Sequence, residues 1–126
     1  MNHDQDRDRL SAPHSPGAGQ PGTCTCETPP GGVLLYRLRG DHLGSIDFDK
    51  PLDGFRAVLV DFTDAGFFGS TALDALLGLR LDAQENGLPV HISAPPPLAA
   101  RVLQLTGADT LFPRHASLDE ALSALT

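Results

Sequence analysis

Ser70 is the side chain in this sequence best placed to do chemistry. It follows the apolar run Ala57-Val58-Leu59-Val60-Asp61-Phe62, sits after the turn residues Phe67-Phe68-Gly69, and opens a helical pattern. Three roles suit a serine there. It can cap the helix, its hydroxyl accepting a backbone N–H of the first turn. It can act as a hydrolase nucleophile, but Phe67-Phe68-Gly69-Ser70-Thr71-Ala72 lacks G-x-S-x-G spacing, and a small domain leaves little room for a triad and pocket. It can accept a phosphoryl group, which would meet unpaired backbone N–H groups at the positive helix end. Local physics alone favours the cap.

The other reactive side chains form no catalytic constellation. Asp61 ends a buried run, the position of the phosphorylated Asp in a receiver domain. That chemistry also needs an acidic pair after the first strand and a Lys near the last. The first strand ends Arg39-Gly40-Asp41, and the one lysine, Lys50, precedes Asp61. Asp61 is therefore expected to organise the following turn through backbone N–H groups. Cys24 and Cys26 stand as Cys-Thr-Cys in a Gly/Pro-rich stretch. Two thiols do not complete a zinc site, so they are read as spare thiols on a tail. The histidines are scattered, and none pairs with a carboxylate at metal-ligand spacing. No cofactor or metal site is expected, and no enzyme activity.

Positioning Ser70 falls to one domain. The chain has 126 residues, including 13 Gly and 11 Pro. Much of that Gly and Pro lies in residues 1–32, which include Ser11-Ala12-Pro13-His14-Ser15-Pro16-Gly17 and Pro29-Pro30-Gly31-Gly32. Such a composition buries too little apolar area to offset ordering entropy, so residues 1–32 are read as a disordered tail. Residues 33–126 make the domain. Val33-Leu34-Leu35-Tyr36-Arg37-Leu38-Arg39 alternates, with Leu34, Tyr36 and Leu38 on one face, and predicts a strand near a sheet edge. Residues 41–54, broken by Pro51 and Gly54, fit no long helical period. The run 57–62 predicts a central strand, followed by a turn at Thr63-Asp64-Ala65-Gly66.

Residues 71–86 predict a helix with Ser70 as N-cap, Gly87 beyond its end, and Ala72, Leu73, Leu76, Leu79 and Ala83 inward. Pro89-Val90-His91-Ile92-Ser93 predicts a strand. A helix over 98–106 would turn Leu98, Val102 and Leu105 inward. Leu111-Phe112-Pro113-Arg114-His115 predicts a short extended piece. Ser117-Leu118-Asp119-Glu120 is a capping box opening a last helix. This alternation argues an α/β fold, a sheet packed with helices. The net charge of −7 argues against nucleic acid, and no run approaches the roughly 20 apolar residues of a membrane span.

From Leu34 onward the sequence resembles the STAS domain of anti-sigma factor antagonists. Leu38-Arg39-Gly40-Asp41-His42-Leu43 is similar to the family's L-x-G-E-L-D strand end. Val58-Leu59-Val60-Asp61-Phe62 with Phe67-Phe68-Gly69-Ser70-Thr71-Ala72-Leu73 is similar to V-L-D-L…F-I-D-S-S-G-L. Leu103-Gln104-Leu105-Thr106-Gly107-Ala108 with Leu111-Phe112 is similar to L-x-L-T-G-L…F. Gly69 stands where the pattern has Asp, Ala72 where it has Gly, and residues 41–55 are short for the usual first helix.

The resemblance implies a mixed sheet packed with helices and a cytoplasmic, non-enzymatic switch. Its partner would be an anti-sigma factor that is also a serine kinase. Binding that partner would free a sigma factor, and phosphorylation of Ser70 would end binding. Gly69, Ser70, Thr71, Asp74, Gly78 and Leu81 would form the docking face. The alternative is a STAS subunit of a larger assembly, such as a lipid-transport accessory or scaffold component, that is never phosphorylated.

Overall fold

A computed structural model describes residues 20–126. The part of the expected tail that falls in residues 1–19 lies outside the described residues. The elements run β1 (Thr23–Glu27), β2 (Val33–His42), β3 (Ala57–Phe68), α1 (Ser70–Glu85), β4 (Val90–Ser93), α2 (Pro97–Leu105), a 3-10 turn (Ala108–Thr110), β5 (Arg114–His115) and α3 (Leu118–Leu125). The sheet has the order β1-β2-β3-β4-β5. β2 to β5 are parallel to their neighbours and β1 is antiparallel to β2, so the sheet is mixed, as expected.

Alternation along β2 and β3 divides the interior into two layers. Leu34, Tyr36, Leu38, Val58, Val60 and Phe62 face the larger layer, with Leu73, Leu76 and Leu79 of α1 and Leu103 of α2. Val33, Leu35 and Leu59 face the smaller layer under α3, against Ala121, Leu118, Leu122 and Leu125. Both faces of β2 are therefore covered, not only the face of Leu34, Tyr36 and Leu38 that the alternation marks as apolar. Residues 43–56 make the parallel crossover from β2 to β3 without a helix. They send Ile46, Phe48, Leu52 and Phe55 back onto the larger layer, and Phe48 meets Tyr36 edge to face at 4.9 Å.

Three local expectations change. First, residues 23–27, assigned to the tail, form β1. Cys24 and Cys26 point inward and are half-buried, whereas Thr23, Thr25 and Glu27 face solvent. The alternation of β-branched Thr with Cys suits an edge strand, and Arg37 pairs with Glu27 at 2.9 Å across it. Second, β3 runs through the expected turn at 63–66 to Phe68. Its register against β2 slips between Arg37 and Arg39 and again between Gly40 and His42, each time giving β3 an extra residue. Bulges of this kind absorb turn-prone residues without ending a strand.

Third, α2 begins at Pro97 and buries Ala99 and Leu103. Val102 is half-buried, while Leu98 and Leu105 are exposed. Small Ala99 lets the helix sit close to the sheet, which rotates the expected stripe outward. The other two helices follow the sequence. α1 buries Ala72, Leu73, Leu76, Leu79 and Ala83. In α3 the Glu120 N–H donates to Ser117 Oγ at 3.1 Å, the capping-box contact.

Candidate functional site

Ser70 lies where the ends of β2 and β3 meet the start of α1. The Phe67 N–H donates to Asp41 Oδ1 at 2.6 Å, and the Gly69 N–H donates to the His42 carbonyl at 3.0 Å. These two bonds tie the chain before the helix to the end of β2. Gly69, extended at φ −88° and ψ 179°, is the N-cap, and Ser70 is the first helical residue. This corrects the expected cap by one position. The Gly69 side contributes no capping group, so the Ser70 hydroxyl is not held in that role. The first intrahelical bond is Leu73 N–H to the Gly69 carbonyl at 3.0 Å. The amides of Ser70, Thr71 and Ala72 precede it, at the positive end of the helix dipole. No acidic side chain stands in this first turn.

Ser70, Thr71, Asp74, Gly78 and Leu81 are all exposed. At 100° per residue they fall within a stripe about 100° wide along α1. Gly69 is half-buried at its head. A side chain added at Gly78 would meet nothing within 4 Å. A glycine inside a helix costs roughly 0.5–1 kcal/mol relative to alanine, and no intramolecular packing asks for one here. Gly69 is different: an added Cβ would lie 3.1 Å from the Phe67 ring. Glycine there lets Phe67 lean over the turn. Ala72 is fully buried in the larger layer, so that departure from the family pattern concerns packing and not the exposed face.

Two residues of this surface escaped the sequence reading. Phe67 is 42 % exposed and Leu43 is 73 % exposed. Both flank the hydrogen bonds that anchor Gly69, giving the polar head of the stripe an apolar border. The available signal was an aromatic doublet, Phe67-Phe68, in which β-strand alternation buries only the second.

The remaining candidates lie elsewhere. Asp61 is 3 % exposed. Its Oδ1 accepts the Ser93 hydroxyl at 2.8 Å, the Thr63 hydroxyl at 2.7 Å and, more weakly, the Thr63 N–H at 3.4 Å. It organises the first bulge of β3 with two hydroxyls, where backbone N–H groups alone were expected. The Cys24 thiol is pushed up to about 11 by burial first, then by Cys26, Asp47 and Asp49. It stays protonated at neutral pH and behaves as a packing group. Among the described residues no cluster of three or more His, Cys, Asp or Glu could hold a metal ion. None of their helices is long and apolar enough to cross a membrane.

His42 links this site to pH. It is 6 % exposed, and its Nε2 has no hydrogen-bond partner. Burial lowers its affinity for a proton below the ordinary value of 6.5, against opposing contributions from the Arg39 carbonyl and Asp41. The unfolded chain then binds the proton more readily, so stability is fully present above about pH 6.5 and falls as pH drops below it. Chemical denaturation between pH 7.5 and 5 is expected to show this decline, and His42→Asn is expected to flatten it. An unchanged slope would remove His42 as a contributor.

The family comparison agrees with the geometry. The STAS domain model matches residues 21–121. A search of curated proteins found no match. Among solved structures, a proposed anti-sigma factor antagonist from Thermotoga maritima superposes with a TM-score of 0.66 at 18% identity, covering 81% of this chain and 93% of that one. An anti-sigma factor antagonist from Mycobacterium paratuberculosis superposes with a TM-score of 0.61 at 26% identity, covering 83% and 94%. With the family's model matched from the start of β1 to the middle of α3, this chain belongs to the STAS domain family.

Proposed function

We propose that this protein is an anti-sigma factor antagonist whose docking face is the exposed stripe of α1 headed by Ser70. The observation that carries the reading is the stripe itself. Ser70, Thr71 and Asp74 offer polar contacts, Gly78 leaves the helix backbone open to close approach, and Leu81, Phe67 and Leu43 supply apolar contact. A helix face with a polar end and a bare glycine suits a partner that packs closely along it. The solved relatives described as anti-sigma factor antagonists support the same assignment.

The partner would be an anti-sigma factor of serine-kinase type, and the pair would work in the cytoplasm. In the transfer, Ser70 Oγ attacks the γ-phosphorus of ATP, the bond to ADP breaks, and the hydroxyl proton passes to a base on the kinase. The phosphate would sit at unpaired amides of the first turn, so the fold tolerates it. It would add about −1.5 to −2 charge at the centre of the face. Incubation with a kinase-type anti-sigma factor and ATP is expected to place one phosphate on Ser70 by mass spectrometry. Modification elsewhere, or none, would count against the switch.

Gly69 favours one other reading, since the residue before Ser70 offers a kinase no acidic side chain. A STAS subunit of a transport or scaffold assembly would need the same exposed face without phosphorylation. Affinity capture that recovers transporter subunits in place of a kinase would decide for it.

A further inference from the structure

His91 on β4 and His115 on β5, distant in sequence, meet on the sheet face that carries α3. His91 Nδ1 lies 2.9 Å from His115 Nε2. The rings are 15° from parallel, with centroids 5.2 Å apart. At that distance one nitrogen must donate a proton and the other must accept. A single added proton preserves the bond, because the charged ring still donates to the neutral one. A second proton places two donors face to face and breaks it.

What the pair holds is slight. β5 has two residues. Its backbone is joined to β4 by the Ile92 N–H to the Pro113 carbonyl and the Ala94 N–H to the His115 carbonyl, each 2.9 Å. Ala94 makes its bond from φ +52°, a left-handed conformation strained for alanine. α3 follows β5 directly and has Ala121 as its one fully buried residue.

The charged groups on the surrounding elements are Arg37 on β2, Asp61 on β3, Arg114 on β5, and Asp119 and Glu120 on α3. Asp61 is occupied by the Ser93 and Thr63 hydroxyls, and Arg37 pairs with Glu27. Arg114, Asp119 and Glu120 are exposed. Among the described residues none of these groups forms an ion pair with either imidazole, so none of them offsets a second positive charge.

We propose that the His91–His115 pair is a proton-sensitive clasp whose double protonation releases β5 and α3 from the sheet while the Ser70 end stays folded. Burial and the neighbouring His115 both hold His91 below its ordinary proton affinity, which puts release on the acid side of pH 6.5. Release would uncover Val33, Leu35 and Leu59, the layer under α3.

Hydrogen exchange of the full chain tests this, with rates corrected for intrinsic pH dependence. Between pH 7.5 and 5, peptides from residues 113–126 are expected to lose protection at least tenfold more than peptides from residues 70–85. A double variant, His91→Gln with His115→Gln, is expected to hold that ratio constant, since its amides hydrogen-bond without titrating. Equal pH dependence in both proteins, or uniform loss across the wild-type fold, would overturn the clasp. Imidazole nitrogen NMR of the wild-type chain gives a second readout should the variant fold poorly. Coupled titration, with His91 protonating in the range where residues 113–126 open, supports the clasp. Two independent titrations at the ordinary value would sink it.

Discussion

Ser70→Asp is expected to weaken binding to the anti-sigma factor by tenfold or more, about 1.4 kcal/mol, while Ser70→Ala binds like the native protein. Ser70 is exposed, opens α1, and takes no part in capping it. Neither variant should disturb the fold, and Asp at a helix N-terminus is stabilising if anything. Any loss of binding by the Asp variant is therefore a surface effect. Its cause is charge: the protein already carries −7, and the substitution adds one negative group amid Thr71 and Asp74. The phosphate, carrying more charge, should act more strongly. At physiological ionic strength the Debye length is about 8 Å, so the difference between the variants should shrink as salt rises. Titration calorimetry at two salt concentrations reads both effects. Equal affinity for the two variants would remove charge repulsion as the mechanism.

Deleting residues 1–32 is expected to destabilise the fold by about 3 kcal/mol or more. A tail would be removable without effect. β1 is not, because the deletion strips the antiparallel ladder from β2 and uncovers the apolar groups beneath Cys24 and Cys26. Each backbone hydrogen bond contributes roughly 0.5–1.5 kcal/mol, and the side-chain burial adds to that. For a domain of this size 1 kcal/mol corresponds to about 4–8 °C in midpoint, so a fall of more than about 10 °C is expected in a thermal scan. β2 would also become an open edge of ten residues, a template for aggregation. Unchanged thermal stability would mean that β1 contributes nothing to holding β2.

Most of the fold was legible because its signals are local. The inward face of α1 follows from the spacing of Ala72, Leu73, Leu76, Leu79 and Ala83, and the capping box at Ser117 from four consecutive residues. What escaped depends on the company an element keeps. Thr23 to Glu27 alternates as a strand should, but the surrounding Gly and Pro outweighed five residues, and only β2 supplies the partner that makes them order. Residues 63–66 carry turn chemistry that two bulges convert to strand. Leu98 and Leu105 look like a buried stripe until Ala99 is recognised as the smaller side chain that lets α2 approach the sheet. The exposed stripe of α1 was readable from the spacing of Ser70, Thr71, Asp74, Gly78 and Leu81, and the docking role proposed for it comes from family resemblance. Leu43 and Phe67 were not readable, since their exposure depends on how the ends of β2 and β3 are tied together. The His91–His115 contact spans two strands, and no spacing rule within one segment reveals it.

The strand order of the sheet is also the order of the chain. As the polypeptide leaves the ribosome, every strand finds its neighbour already made, and none must be inserted between two earlier ones. The larger layer can close once Ala108 and Phe112, just beyond α2, have emerged. Val33, Leu35 and Leu59 wait for α3, which follows every strand of the sheet in chain order. A nascent chain with α3 still inside the ribosome and the preceding elements outside it would hold Ser70 on a formed helix while its opposite sheet face remained bare. This eight-residue helix thus decides when the emerging domain stops presenting that adhesive sheet face to its surroundings.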